Sequence, residues 1–594
     1  MVRAAVLIGV SQTGNLQTLK AVHDGVRAME RWALGQGMDR ELVKVLSDEG
    51  GPVEVGQVKK AVKEIVDLTT VNQLIVYFSG HGVNISRGEY WLLSGAPEDS
   101  NAAVNVAGSI ELARTCGIRH VVLISDACRT AAEGIQGQGI RGSEIFPNVL
   151  DAVEERPVDV FFACGLGDPA LEVKNPKKAA AGYRAVYTDS LAQALGGKKN
   201  VAVKHPEKNE TVQLIEVDRS GAKPRGLIRP VPLSLHLRAD VLARLTKAKV
   251  KPGVHQTPVA RIISQETWLA EVPVPPAAFD GLGSDSGKAA FSEPAIQTIF
   301  EESGRMLAGT LAQNRVLAAD PASAGQAELA EPLGRIFQPF GPRHFETSCG
   351  FKVRGAKFAS ALGAGVKTNI PDPERQILSV QGVAEGAANL LIEFDDGTGL
   401  VLPAIRDYVG SITVEDGAVV NVSFEPVENS ARWQALEGRE DEVRSLRALL
   451  ASSARLGVFR LRDADAGLME ERMKVGRGLD PSIALYAAYA YHDRQEAEPV
   501  RAMQKAIFGD LKVRLFDLAL LAGELRGRQV RSEKRLFPFV PLLSQGWALL
   551  RAQQIVLPPG LEALGDHRVE SLWTLFDPQG VELIRSAIKT KEID

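Results

Sequence analysis

Two residues that can do chemistry together stand in matching contexts along this chain. Cys128 follows the run Val121-Val122-Leu123-Ile124-Ser125-Asp126-Ala127, and His81 follows Leu74-Ile75-Val76-Tyr77-Phe78-Ser79-Gly80. A thiol within hydrogen-bond reach of an imidazole is held as thiolate and becomes a nucleophile for acyl transfer. The imidazolium then serves as the acid for the leaving group. Alone, a cysteine after an apolar strand is more often a small buried hydrophobe. His81, however, has Gly80 on one side and Gly82 on the other. Glycines let backbone approach a substrate closely and take unusual dihedrals, which a purely structural histidine rarely needs.

Both residues must be held by strands. Four consecutive apolar residues from Val121 to Ile124, mostly β-branched, read as a strand buried on both faces, and Leu74 to Phe78 reads the same way. In open α/β sheets, ligands bind outside the carboxyl ends of the strands. Two parallel neighbours would therefore bring His81 and Cys128 out side by side. The flanking pattern supports such a sheet. Ala4 to Val10 and Leu42 to Leu46 predict further strands, and Val158 to Cys164 a fifth. Leu19, Val22, Val26 and Met29 recur at helical spacing, with Gly37 as the stop. Val58, Val62, Ile65 and Val66 line a second helix, Val106, Ile110 and Ala113 a third, and Tyr187, Leu191, Ala194 and Leu195 a fourth. Tyr90 to Leu93 reads as a short hairpin piece. Strands alternating with helices predict a mostly parallel α/β sheet with helices on both faces.

With these residues in view, Phe78-Ser79-Gly80-His81-Gly82 followed by Asp126-Ala127-Cys128-Arg129 resembles the caspase-like cysteine peptidases, closest to bacterial and metacaspase-type members. Cys128 lies 47 residues after His81 (128 minus 81), close to the roughly 50 expected in caspases. The resemblance extends through Ala163-Cys164-Gly165 to Glu172 and through Gln256-Thr257-Pro258 before Val259, and so covers about residues 1 to 274. It implies a caspase-like fold and a dyad of His81 and Cys128. It also implies an oxyanion hole formed by the backbone N–H groups of Gly82 and Cys128. In this family the position two before the cysteine faces the pocket for the substrate's P1 side chain, and an aspartate there goes with cleavage after arginine or lysine. Asp126 holds that position. A buried carboxylate needs a cationic partner, which a guanidinium supplies. The alternatives are that Asp126 caps the next helix or pairs with Arg129. Asp168 is a second candidate pocket carboxylate, although an aspartate before proline is more often a turn former. Preference for basic residues would make Arg141, Lys174, Lys177 and Lys178, and the run Lys198 to Lys208, candidate processing sites; solvated loops are the plainer reading.

Composition narrows the classes. The chain has 594 residues, 45% hydrophobic and 24% charged, with a formal net charge of −4. That balance implies no overall attraction to nucleic acid or to an anionic membrane. Cys116, Cys128, Cys164 and Cys349 show no CxxC pairing, so neither a zinc site nor a disulfide scaffold is expected. A reducing, cytoplasmic setting fits. No run reaches the roughly 18 apolar residues of a membrane helix. No cofactor is expected; metacaspase-like enzymes often need calcium, but no EF-hand loop is present.

Beyond the catalytic domain (1–274), residues 275–345 turn rich in Ala, Gly, Ser and Pro, with one helix near Ile296 to Leu311, and read as a linker. Residues 346–428 read as a small β-rich accessory domain, with hairpin signals at Asp395-Asp396-Gly397 and Glu415-Asp416-Gly417. Residues 429–594 read as an α-helical accessory domain, one of its helices opened by Asp480-Pro481. The expected activity is therefore a cysteine endopeptidase acting on protein substrates, with a carboxy-terminal half that regulates or targets it. The rival is an idle pseudo-protease or scaffold whose carboxy-terminal half binds a partner protein.

Overall fold

The computed structural model describes residues 1–85, 88–127, 139–148, 154–164, 172–174, 183–197, 202–204, 211–220, 223–247, 256–264, 267–274, 349–372, 374–383, 386–427, 480–530 and 535–593, with isolated positions 430, 432 and 433. Of residues 172–174, 183–184 and 202–204 only the backbone is described. Cys128, Asp168, Lys177, Lys178 and the expected linker 275–345 lie outside this set. The chain forms two compact units, Met1–Glu293 and Pro294–Asp594.

The amino-terminal unit is built on β1 (Arg3–Gly9), α1 (Val22–Gly35), β2 (Val43–Ser47), α2 (Val55–Asp67) and β3 (Gln73–Gly80). There follow three short strands, β4 (Gly82–Ile85), β5 (Gly88–Leu92) and β6 (Ala103–Asn105), and then α3 (Val106–Ala113), β7 (His120–Ala127) and β8 (Val158–Phe162). Helices α4 (Val186–Leu195) and α5 (Pro230–Lys247) complete the frame. The central sheet runs in the order β2-β1-β3-β7-β8, all parallel, and closes with the antiparallel edge strand Val259–Arg261 against β8. This is the mostly parallel sheet that the alternating pattern predicts. It is buried on both faces: Leu7, Tyr77 and Ile124 pack with α1, α4 and α5, while Val6, Val76 and Leu123 on the other side are equally inaccessible. Strands β4, β5 and β6 form a separate small antiparallel sheet.

Two details differ from the expected pattern. Leu19 does not open α1; its N–H closes the preceding loop on Ser11 O at 2.9 Å. Helix α5 was not foreseen, and Pro230 and Pro232 stand in its first turn. Proline is tolerated in a first helical turn, and Leu233, Leu237, Val241 and Leu245 then bury one face at four-residue spacing.

The carboxy-terminal unit holds two five-stranded sheets. One contains Lys367–Asn369, Ile377–Gln381, Cys349–Arg354, Tyr408–Glu415 and Ala418–Pro426. The other contains Phe358–Gly363, Ala387–Phe394, Gly399–Ile405, Leu575–Phe576 and Arg568–Val569. The hairpin at Asp416-Gly417 has positive φ at both residues, 49° and 77°, as a two-residue turn between right-twisted strands requires. Asp480 caps the helix Pro481–Asp493 as its sequence suggests, accepting from Ser482 N at 2.9 Å. The β-rich stretch 346–428 and the helical stretch 429–594, distinct in sequence pattern, share one buried core here, and the strand Gly399–Ile405 pairs with Leu575–Phe576. Among the described residues, no helix is long and apolar enough to cross a membrane.

Candidate active site

Strand order in the amino-terminal unit reverses between β1 and β3: the chain goes from β1 outward to β2, then crosses back to lay β3 on β1's other side. Loops leaving two strands on either side of such a switch point diverge and leave a crevice at the carboxyl edge. The loop after β1 (residues 10–21) and the turn after β3, which carries His81, are those two loops. On the next strand along, register pairs Ser79 with Asp126 and Gly80 with Ala127. His81 and Cys128 thus each follow, in sequence, one member of the last registered pair.

Strand β3 ends tightly packed. Phe78 stacks on Trp91 of β5 with ring centroids 4.9 Å apart and 5° between planes. Trp91 in turn donates its indole N–H to Ser125 Oγ at 2.9 Å, joining β5 to β7. A Cβ at Gly80 would stand 2.7 Å from the Phe78 ring and 3.0 Å from Val10 O. Gly80 is therefore demanded by packing of β3 against the β1 loop. The imidazole of His81, half-buried, places Nε2 2.7 Å from the carbonyl oxygen of Gln17, in that same loop. A carbonyl only accepts, so Nε2 carries the proton and the neutral ring keeps Nδ1 as its basic nitrogen. Gln17 was not foreseen, and nothing in the sequence could have singled it out, because the contributing atom is backbone.

Asp126 is buried on the α4 side of the sheet, with 6% of its surface exposed. Thr188 of α4 donates its hydroxyl to Asp126 Oδ2. Tyr77 OH lies 2.6 Å from Thr188 Oγ1. Since the threonine proton is committed to the carboxylate, the phenol is the donor of that second bond, giving a relay Tyr77 to Thr188 to Asp126. Burial, and then the negative charge of Asp126, push both the Tyr77 and Tyr187 phenols above their usual range, so both stay protonated. The alternatives for Asp126 are a helix cap or a pair with Arg129, which lies outside the described residues; Thr188 is one partner it does have. Cys164 is fully buried and donates to Ala127 O at 3.3 Å. Cys116 and Cys349 are also buried.

Of the expected processing residues, Arg141 has an exposed side chain on a fixed backbone. Arg141 N and Gly142 N both reach Ser100 O, Ser143 N donates to Ala103 O, and Asn105 N donates to Ser143 O. Ile140, Ile145 and Phe146 around it are buried. Lys174 ends a strand paired with Tyr183–Ala185. Within the run Lys198 to Lys208, Ala202–Lys204 pairs with Thr211–Gln213. Among the described residues, no three His, Cys, Asp or Glu side chains cluster as a metal site.

No protein-family model matches the chain, and no curated protein matches it in sequence. Solved structures similar to part of it include caspase-1 from Spodoptera frugiperda, 11% identical, with 43% of this chain and 85% of that chain covered and a TM-score of 0.27. The pro-form of the Sf caspase-1 is 7% identical over 46% of this chain and 92% of that one, with a TM-score of 0.26. The Drosophila initiator caspase Dronc is 8% identical over 32% and 64%, with a TM-score of 0.22. Such scores locate no residue in this chain's site, and the assignment of the fold rests on strand order instead. The parallel order β2-β1-β3-β7-β8, the antiparallel edge strand and the small sheet inserted after β3, with the two motifs at paired strand ends, make the amino-terminal unit a caspase-like fold.

Proposed function

We propose that the amino-terminal unit is a cysteine endopeptidase that cleaves protein substrates after arginine or lysine, with the carboxy-terminal half regulating or targeting it. The observation that carries this reading is the pairing of Gly80 with Ala127 at the ends of adjacent parallel strands, together with a His81 ring oriented by Gln17 O. In the proposed reaction, His81 Nδ1 takes the Cys128 thiol proton and the thiolate sulfur bonds to the scissile carbonyl carbon. The resulting oxyanion is held by the N–H groups of Gly82 and Cys128. Collapse breaks the C–N bond as Nδ1–H protonates the leaving amine. Water, deprotonated by the same nitrogen, then releases the acid and restores the thiol. Nε2–H stays bonded to Gln17 O throughout. Asp126 is the proposed floor of the P1 pocket, with one oxygen held by Thr188; by sequence position Asp168 is its candidate companion.

The test is cleavage of fluorogenic peptides ending in arginine, lysine or aspartate by the wild type, Cys128→Ala and His81→Ala. Turnover of the basic peptides by the wild type only is expected. Turnover retained in Cys128→Ala, or preference for aspartate, would overturn the reading.

A further inference from the structure

The loop that presents Gln17 O is held by a chain of hydrogen bonds that starts on another strand. Asp48, just beyond β2, is half-buried, and its Oδ2 accepts from Ser11 N at 2.8 Å, Gln12 N at 2.8 Å and Ser11 Oγ at 3.1 Å. Its Oδ1 lies 2.6 Å from His23 Nε2 on α1. Burial alone would push this carboxyl up, but the bonds from His23, Gln12 and Ser11 outweigh it and hold Asp48 below its ordinary value, so the anchor is an ionised one.

From that anchor the side chain of Gln12 reaches forward. Its Nε2 donates to Gly14 O at 2.7 Å and to Leu16 O at 3.1 Å, and its Oε1 accepts from Thr18 Oγ1. Leu16 and Thr18 are the two neighbours of Gln17. One side chain thus brackets the residue whose carbonyl meets His81. The loop is also fixed from the far side. Gly14, at φ 46°, donates to Ser94 O at 3.3 Å, and a Cβ there would come within 2.6 Å of Ala96 O. Gln12 itself is exposed and supports no core.

We propose that Gln12 and Asp48 are positioning residues, which aim the Gln17 carbonyl at His81 and so set the Nε2–H tautomer that leaves Nδ1 to the reacting thiol. The proposal rests on the peptidase reading above and adds to it two residues that touch neither substrate nor the reacting atoms. A loop held for shape alone would need no bracket on both sides of the one carbonyl that faces the histidine.

Gln12→Ala is made in the full-length protein, because an exposed side chain can be removed without unfolding the domain. On an arginine peptide, kcat is expected to fall about tenfold with KM unchanged, the scale of one hydrogen bond's worth of orientation. The unfolding midpoint stays where it was. Asp48→Ala has a similar effect. Asp48→Asn, which keeps one acceptor for the Ser11 and Gln12 N–H groups, recovers most of the rate. The second measurement needs no activity: the ring-nitrogen NMR shifts of His81 in ¹⁵N-histidine-labelled protein, assigned with His81→Gln. Wild type should show a protonated Nε2 and an unprotonated Nδ1, and Gln12→Ala should move the ring toward a mixture of tautomers. Unchanged ring-nitrogen shifts in Gln12→Ala overturn the proposal, whatever the kinetics. A wild type that cleaves nothing, with the tautomer shift still seen in Gln12→Ala, would sink the peptidase reading and leave the positioning role standing.

Discussion

Both units draw aspartates out of solvent, fully at Asp480 and Asp517 and in part at Asp48, and use them differently. In the carboxy-terminal unit, Asp480 accepts from the N–H groups of Ser482 and Phe424, and Asp517 from those of Leu542 and Leu543 and from Tyr489 OH at 2.6 Å. Both tie turns and strands to helices inside one core. In the amino-terminal unit, Asp48 and Asp126 sit where β2 and β7 end, at the edge where parallel strands deliver all their outgoing loops. Strands in the other unit mostly run antiparallel, so their loops scatter to both edges. A buried carboxylate is therefore no sign of chemistry by itself; its place at a parallel sheet's carboxyl edge is.

The contrast can be broken most forcefully at Asp126. If it meets a P1 cation, Asp126→Ala removes one partner of a desolvated pair, a loss of about 2–5 kcal/mol, and kcat/KM on arginine peptides should fall at least thirtyfold. The fold should persist, as near-ultraviolet circular dichroism would show. An equal loss on every peptide would make Asp126 a brace like its counterparts in the other unit.

Asp517 sharpens the other side. Burial raises it from 3.8 to about 6, only partly offset by its hydrogen bonds to Tyr489, Leu542 and Leu543. The folded state holds this proton more tightly than the unfolded chain does. The stabilisation is thus full below about pH 4 and is lost as pH rises through 6, at most about 3 kcal/mol in all. Denaturant midpoints of the carboxy-terminal transition for wild type and Asp517→Asn should diverge across that window. Parallel pH profiles would mean that Asp517 ionises as freely as a surface aspartate.

The smallest effect expected is on regulation. A chain ending at Glu293 keeps the core of the central sheet and should differ from the full chain in basal cleavage rate by about fivefold, the lower end of coupling between distinct sites. Identical kinetics on peptide and protein substrates would remove the regulatory role.

What could be read in the sequence follows the same division. β3 and β7 are apolar runs buried on both faces, so their ends, and the histidine and cysteine that follow, stand out in the residue order. Gln17 does not, because a carbonyl oxygen belongs to every residue. Thr188 was hidden for a different reason: α4 shows its stripe through Tyr187 and Leu191, while a hydroxyl aimed at another strand leaves no periodic trace. In the carboxy-terminal half, local pattern does not show the strands Arg568–Val569 and Leu575–Phe576 inside the stretch read as helical, and the shared core of Phe424, Tyr486 and Trp573 arises from pairing across long sequence separations. No window of sequence contains that information.

The anchoring of residues 140–146 bears on what nicking this chain would do. The peptide bond after Arg141 is flanked by amides already engaged with Ser100, Ala103 and Asn105, so a protease would have to peel the segment off before fitting it into a cleft. A break made further upstream, between Ala127 and Ile140, would leave β7 paired in the sheet on one side and Ser143 bridged to Val104 on the other. Severing the covalent thread there would produce two chains held together within the amino-terminal unit, visible as two bands under denaturation and as a single species in solution.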